Sequence, residues 1–324
     1  RKHKSSDRYR KEKEMSMFDE KTDRRHTGSM KWDVTEKELP MWVADTDFRC
    51  PQPVVDAVMK RAAHPIYGYP FVTNDFKTAT VDWVEKRHGW KMDPEWLVFA
   101  TGIVPVFNTM IQAVTEPGDK VIISRPVYHT MAFAIEDNGR EISDNSLIYR
   151  DGAYTMDFED LRRRAEDPKA KLMLVCSPHN PVGRAWKEEE LYQISSICKE
   201  NGVVVVCDEI HSDIMLYGNK HVPMGTLGTE AMKKNIITCF APSKTFNCAG
   251  IRTSVIVAPD KGLREMLNSR FKKNRSIQQN IFAMPALEAA YTKCDDYLEQ
   301  LLLYLENNVD FVRDYLNERM PKIK

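Results

Sequence analysis

Val203-Val204-Val205-Val206-Cys207-Asp208-Glu209-Ile210-His211-Ser212-Asp213 and, further along, Ile236-Ile237-Thr238-Cys239-Phe240-Ala241-Pro242-Ser243-Lys244-Thr245-Phe246-Asn247 decide how the rest of the chain is read. Each opens on a short apolar run rich in β-branched residues and then turns polar. A run of that kind, bounded by turn signals, predicts a strand buried on both faces, as inside a parallel sheet. Ligands of such sheets bind beyond the carboxyl ends of the strands. Asp208 and Lys244 both fall there, so an acid and an amine are expected to face one crevice.

The same alternation extends outward from this pair. Strands are predicted at 97–100, 120–124, 171–176, 203–207, 236–240 and 253–258, with helices at 104–115, 130–137, 157–165 and 187–201 between them. Upstream, Thr73 or Asn74 caps a helix that carries Phe76, Ala79, Trp83 and Val84 on one face and closes at Gly89. Pro53 opens an earlier helix expected to turn Val54, Val55 and Val58 inward. Beyond Asp260 the chain reads as helical, ending in one long helix through Leu301, Val309, Phe311 and Tyr315 to Pro321. Strands alternating with helices predict an α/β protein: a mostly parallel sheet covered by helices on both faces.

Composition excludes more than it selects. A chain of 324 residues can bury a large core and suggests about two domains. Its formal net charge of +0 gives no pull toward nucleic acid or an anionic membrane. No apolar stretch approaches the roughly 20 residues that span a bilayer. The seven cysteines include no CxxC pair, and Cys176 and Cys207 lie in predicted core strands. Buried thiols in a reducing compartment, the cytoplasm, fit better than disulfides or a metal site. Residues 1–17 mix both charge signs without an apolar segment, which predicts a solvated, disordered arm and no secretory signal.

Taken singly, a lysine is most often a solvated surface charge, and an aspartate at a strand end is as often a cap or an ion-pair partner. Together, beyond two buried strands, they suggest more. A desolvated lysine loses basicity and becomes a nucleophile able to form a Schiff base. Pyridoxal phosphate enzymes use such a lysine with an acid that pairs with the pyridinium nitrogen.

Ser177-Pro178-His179-Asn180-Pro181-Val182-Gly183, then Asp208-Glu209-Ile210-His211, then Ser243-Lys244-Thr245-Phe246-Asn247 resemble, in that order, the fold-type I pyridoxal phosphate enzymes. More narrowly, the chain is similar to the MalY/PatB-type cystathionine β-lyases of the class I/II aminotransferase superfamily. Trp42-Val43-Ala44-Asp45-Thr46-Asp47-Phe48, Tyr67-Gly68-Tyr69 and Pro126-Val127-Tyr128 add to the likeness. The resemblance implies a large domain over 49–290 built on a seven-stranded, mostly parallel sheet. It also implies a smaller α+β domain that starts with 18–48 and is re-entered by the long helix of 291–324. Similar enzymes continue into a segment whose arginine binds the substrate carboxylate; no such arginine can be assigned here, so a C-terminally truncated chain is expected.

The resemblance also implies roles. Lys244 would hold pyridoxal 5′-phosphate and move the substrate α-proton, and Asp208 would pair with the pyridine nitrogen. Asn180 and His211 would sit near the phenolic oxygen, and Tyr128 would cover the ring face. Thr101, Gly102 and Ile103 would cradle the phosphate at a helix start, joined by Ser243 and Arg252. Tyr69 would reach the neighbouring active site of a homodimer. His179 carries no assigned role. The implied activity is a carbon–sulfur β-lyase on cystathionine or related cysteine S-conjugates. An aminotransferase using the same residues is the alternative, and Arg252 leans toward it, because many lyases of this group have an uncharged residue there. A truncated cofactor-binding protein without turnover is the third reading.

Overall fold

The computed structural model describes residues 16–34, 38–276 and 279–323. They form two compact units, one ending at Cys50 and the other beginning at Pro51. The first unit is held by charge rather than by regular structure. Arg24 pairs with Asp45 and Asp47, while the buried Lys31 reaches the Asp47 carboxylate at 3.0 Å and the Asp45 carbonyl at 2.9 Å. Phe18 packs edge-on against Phe48, with ring centroids 5.0 Å apart. Of the predicted charged arm, residues 1–15 lie outside the described residues; Ser16 and Met17 cap and begin a short 3-10 turn that ends at Asp19.

The second unit runs through helices α1 (Gln52–Ala62) and α2 (Asn74–His88), then strand β1 (Leu97–Ala100), α3 (Ile103–Val114), β2 (Lys120–Ile123), α4 (His129–Asp137) and β3 (Glu141–Asp144). A hairpin of β4 (Ile148–Arg150) and β5 (Ala153–Thr155) precedes α5 (Phe158–Ala165), β6 (Ala170–Cys176), α6 (Glu188–Glu200) and β7 (Val204–Asp208). The chain closes with α7 (Glu230–Lys233), β8 (Ile236–Phe240), β9 (Ser254–Val257), α8 (Lys261–Lys273), α9 (Ala283–Lys293) and α10 (Asp295–Arg319).

Seven strands form one sheet in the order β1-β9-β8-β7-β6-β2-β3. Only β9 runs against its neighbours β1 and β8; every other pair is parallel. Alternate residues serve two cores. Val121, Leu172, Leu174, Val206 and Cys239 pack with α3, α4 and α8, whereas Ile122, Met173, Val175, Val205 and Cys207 pack with α5 and α6. This is why the strands read as unbroken apolar runs: each side chain, up or down, meets a helix.

The pattern located six of the seven strands. It missed β3, the sheet edge, whose Glu141-Ile142-Ser143-Asp144 carries a single apolar residue, and it missed the β4–β5 hairpin. One core assignment is corrected. Val54 is buried in α1, but Val55 is 37 % exposed, because α1 meets α9 along a narrower stripe than its valines suggested. In α10 only the first turns are buried, at Leu298 and Leu301, while Leu303, Phe311, Val312 and Tyr315 are exposed. No described helix is long and apolar enough to cross a membrane.

Candidate active site beyond the carboxyl ends of the parallel strands

Topology brings the predicted residues to one edge of the sheet. Because β1, β2, β6, β7 and β8 run parallel, the turns that follow them lie at the same end. Those turns carry Thr101 and Gly102, then Tyr128, then Asn180, then Asp208 with His211, then Ser243 with Lys244. Strand β9 runs the other way, so its amino end returns there and brings Arg252. Tyr69 is apart from them, in the segment between α1 and α2, and is 95 % exposed.

Asp208 ends β7, paired in register with Cys176 of β6 and Cys239 of β8. Its carboxylate is 3 % exposed and accepts a hydrogen bond from the Ile210 amide at 3.1 Å. Burial pushes its pKa up to about 7, and the Glu209 charge adds to the rise, while the amide bond and Lys244 oppose it. Lys244 acts in the same sense on His211, whose pKa burial and the nearby ammonium push down to about 4. Asp208, His211 and Lys244 therefore share one electrostatic environment.

The Lys244 turn is tight. The Phe246 amide donates to the Pro242 carbonyl at 2.9 Å, the Cys248 amide to the Ser243 carbonyl at 3.1 Å, and Asn247 sits in the left-handed region at φ 51°. Arg252 is likewise left-handed, at φ 52°, and is exposed. Across the crevice, α3 starts at Ile103, one residue earlier than expected, and no side chain caps its first turn. Gly102 precedes it at φ 150°, which a side chain rarely tolerates, and a Cβ there would meet only Pro105 Cδ at 3.7 Å. Backbone N–H groups at such a helix start suit an anion.

His179, which the sequence left without a role, is the buried tie between two of these turns. Its Nε2 lies 2.9 Å from the Pro126 carbonyl and its Nδ1 3.2 Å from the Cys176 carbonyl. It thus fastens the Asn180 turn to the segment leading to Tyr128, and burial lowers its basicity. The Trp186 indole donates to the same Cys176 carbonyl at 2.9 Å.

Behind the crevice lie two buried carboxylates that sequence reasoning did not single out. Glu209 accepts from His221 Nε2 at 2.7 Å and from the Met224 amide at 2.8 Å. Asp213 accepts from His88 Nε2 at 2.9 Å, Trp83 Nε1 at 3.2 Å and Thr245 Oγ1 at 2.8 Å. The rings of His88 and His221 meet edge to face at 5.4 Å. The available signal was a run of three acids, Asp208, Glu209 and Asp213, just past a buried strand.

These groups fit pyridoxal phosphate. Asp208 is a buried carboxylate with a single backbone donor, which a ring N–H cation would complement. The glycine-led start of α3 would take a phosphate, and Lys244 offers an amine between them in the sheet-edge order. Among the described residues no cluster of His, Cys, Asp or Glu could hold a metal ion.

Comparison with known proteins agrees with this geometry. A family model described as aminotransferase class I and II matches residues 44–324. The chain is 43 % identical to cystathionine beta-lyase PatB of Bacillus subtilis, over 95 % of this chain and 81 % of that one. Cystalysin from Treponema denticola, a structure containing pyridoxal 5′-phosphate, superimposes with a TM-score of 0.91 at 32 % identity, covering 95 % of this chain and 80 % of cystalysin. The pyridoxal phosphate-bound C–S lyase of Staphylococcus hominis does so with a TM-score of 0.87 at 34 % identity, covering 94 % and 78 %.

Proposed function

The chain belongs to the class I and II aminotransferase family, and on that premise we propose that it is a pyridoxal phosphate-dependent carbon–sulfur β-lyase acting on cystathionine or related cysteine S-conjugates. The observation that carries the reading is the buried Asp208 beyond β7, sharing its electrostatic environment with Lys244 beyond the adjacent β8.

Bound there, pyridoxal phosphate supplies an electrophilic carbonyl and an electron-accepting pyridine ring. Lys244 is the amine that holds it and the base that takes the substrate α-proton, a service worth roughly 10²–10⁴-fold in rate. Asp208 would pair, ionised, with the pyridine nitrogen and keep its proton in place. His211, held neutral by burial and by Lys244, would sit with Asn180 near the phenolic oxygen without adding a second positive charge. Tyr128 would cover the ring face. The first amides of α3, with Thr101, Gly102 and Ile103, bind the phosphate together with Ser243 and Arg252. With the α-proton removed, the substrate loses its β-thiolate, and hydrolysis of the remaining enamine gives pyruvate and ammonia.

The working unit is a homodimer in which Tyr69, exposed in the single chain, reaches the partner's site. Its compartment is the cytoplasm; seven free cysteines, six of them buried, support a reducing environment.

The test is incubation with cystathionine and no keto acid. Release of pyruvate and a thiol in equal amounts is the expected result, and Lys244→Ala abolishes both this release and the borohydride-fixed cofactor adduct. A requirement for added keto acid would replace the lyase reading with transamination. A fixed adduct at Lys244 without turnover of any amino acid would leave a binding protein.

A further inference from the structure

Lys244 and Asp208 stand on separate turns, and proton transfer needs them held in a fixed relation. We propose that Asp213 is a positioning residue: its carboxylate clasps the Lys244 turn to the Asp208 turn through the hydroxyl of Thr245. The inference rests on the role of Lys244 proposed above.

Asp213 lies on the turn that follows β7, the turn that also carries Asp208 and His211. Its Oδ2 accepts from Thr245 Oγ1 at 2.8 Å, and Thr245 adjoins Lys244 and is 1 % exposed. Its Oδ1 accepts from His88 Nε2 at 2.9 Å, and the Trp83 indole N–H points between the two oxygens, at 3.2 and 3.3 Å. The carboxylate, 9 % exposed, is thus satisfied by three donors from two other segments. Trp83 of α2 also stacks on Tyr291 at 5.0 Å and meets the fully buried Phe246 of the Lys244 turn at 5.6 Å, so α2 is held by apolar contacts as well. What the carboxylate adds is direction at the residue beside Lys244. The far side of the Asp208 turn is pinned separately, by Glu209 on His221 and the Met224 amide.

Thr245→Val deletes the hydroxyl at nearly constant volume, and Thr245→Ser keeps it. Two measurements are made: amide hydrogen exchange of residues 243–248 in the cofactor-free chain, and the rate at which pyridoxal phosphate becomes fixed to Lys244 by borohydride quenching. In Thr245→Val, exchange rises and capture slows by tenfold or more, the scale of one hydrogen bond to a charged acceptor. Thr245→Ser stays within about twofold of wild type, because the hydroxyl is what the clasp needs. Wild-type exchange and capture in Thr245→Val overturn the proposal. So does faster exchange with unchanged capture, which leaves Asp213 merely structural, and so does a serine variant as impaired as the valine one. Should Thr245→Val not fold, Asp213→Asn must slow capture to the same degree. If wild type itself gains no adduct at Lys244, the function proposed above falls, and hydrogen exchange alone decides the clasp.

Discussion

Asp208→Asn should make the cofactor-free protein more stable at pH 8 while removing its chemistry. The buried carboxyl ionises at about 7 in the fold, against an ordinary 3.8. Between these values the folded chain keeps a proton that the unfolded chain has released, so wild-type stability falls as pH rises through the interval. At about 1.36 kcal/mol per tenfold change in acidity, the full loss above pH 7 is of the order of 4 kcal/mol. Asparagine keeps the shape and the acceptor for the Ile210 amide but never ionises. For a chain of 324 residues, 4 kcal/mol corresponds to a rise of roughly 6 °C in Tm. Thermal unfolding of both cofactor-free proteins at pH 4, 6 and 8 measures it. The gap between them should widen steadily with pH in favour of the variant. A gap that stays constant, or widens in favour of wild type, would refute the claim that the fold holds Asp208 against its own charge.

Two further outcomes follow from the same coordinates. His211 is pushed down to about 4, so the unfolded chain takes up its proton first and stability is lost as pH falls from 6.5 toward 4; cofactor-free His211→Gln should lose less Tm than wild type between pH 7 and 4.5. Gly225→Ala would set a Cβ 2.3 Å from Trp90 Cη2, and the buried indole cannot swing away. Overpacking of that kind costs about 1–3 kcal/mol, read as a lower urea midpoint that Trp90→Phe partly restores.

What the sequence disclosed depends on how local the physics was. Strands β6, β7 and β8 could be read because both faces of each are covered, leaving apolar residues at nearly every position. Edge strand β3 could not, because it packs on one side only and its alternation is too short to stand out. Asp208 and Lys244 were legible from strand-end position alone, before any resemblance was invoked. His179 was not, since its worth lies in joining Cys176 to Pro126, a contact made only after the chain has folded. Nor was Asp213, whose partners Trp83, His88 and Thr245 come from turns and helices far away in sequence. Val55 failed in the opposite way: helical spacing said which residues share a face, but not how wide a stripe α9 would cover.

The three acids at and just past the end of β7 explain why one of them, and not another, would face a cofactor. All are buried, and an isolated buried carboxylate is costly, so each must find donors or lose its charge. Glu209 finds His221 and the Met224 amide; Asp213 finds His88, Trp83 and Thr245. Asp208 receives only the Ile210 amide, and burial pushes its pKa up to about 7. The fold could supply donors at this depth, since it does so for both neighbours. Leaving Asp208 under-satisfied disfavours the empty site and makes a cationic N–H the group that relieves it. Burial and the Lys244 charge keep His211 neutral, so of these neighbours it is Lys244 that brings a positive charge toward Asp208.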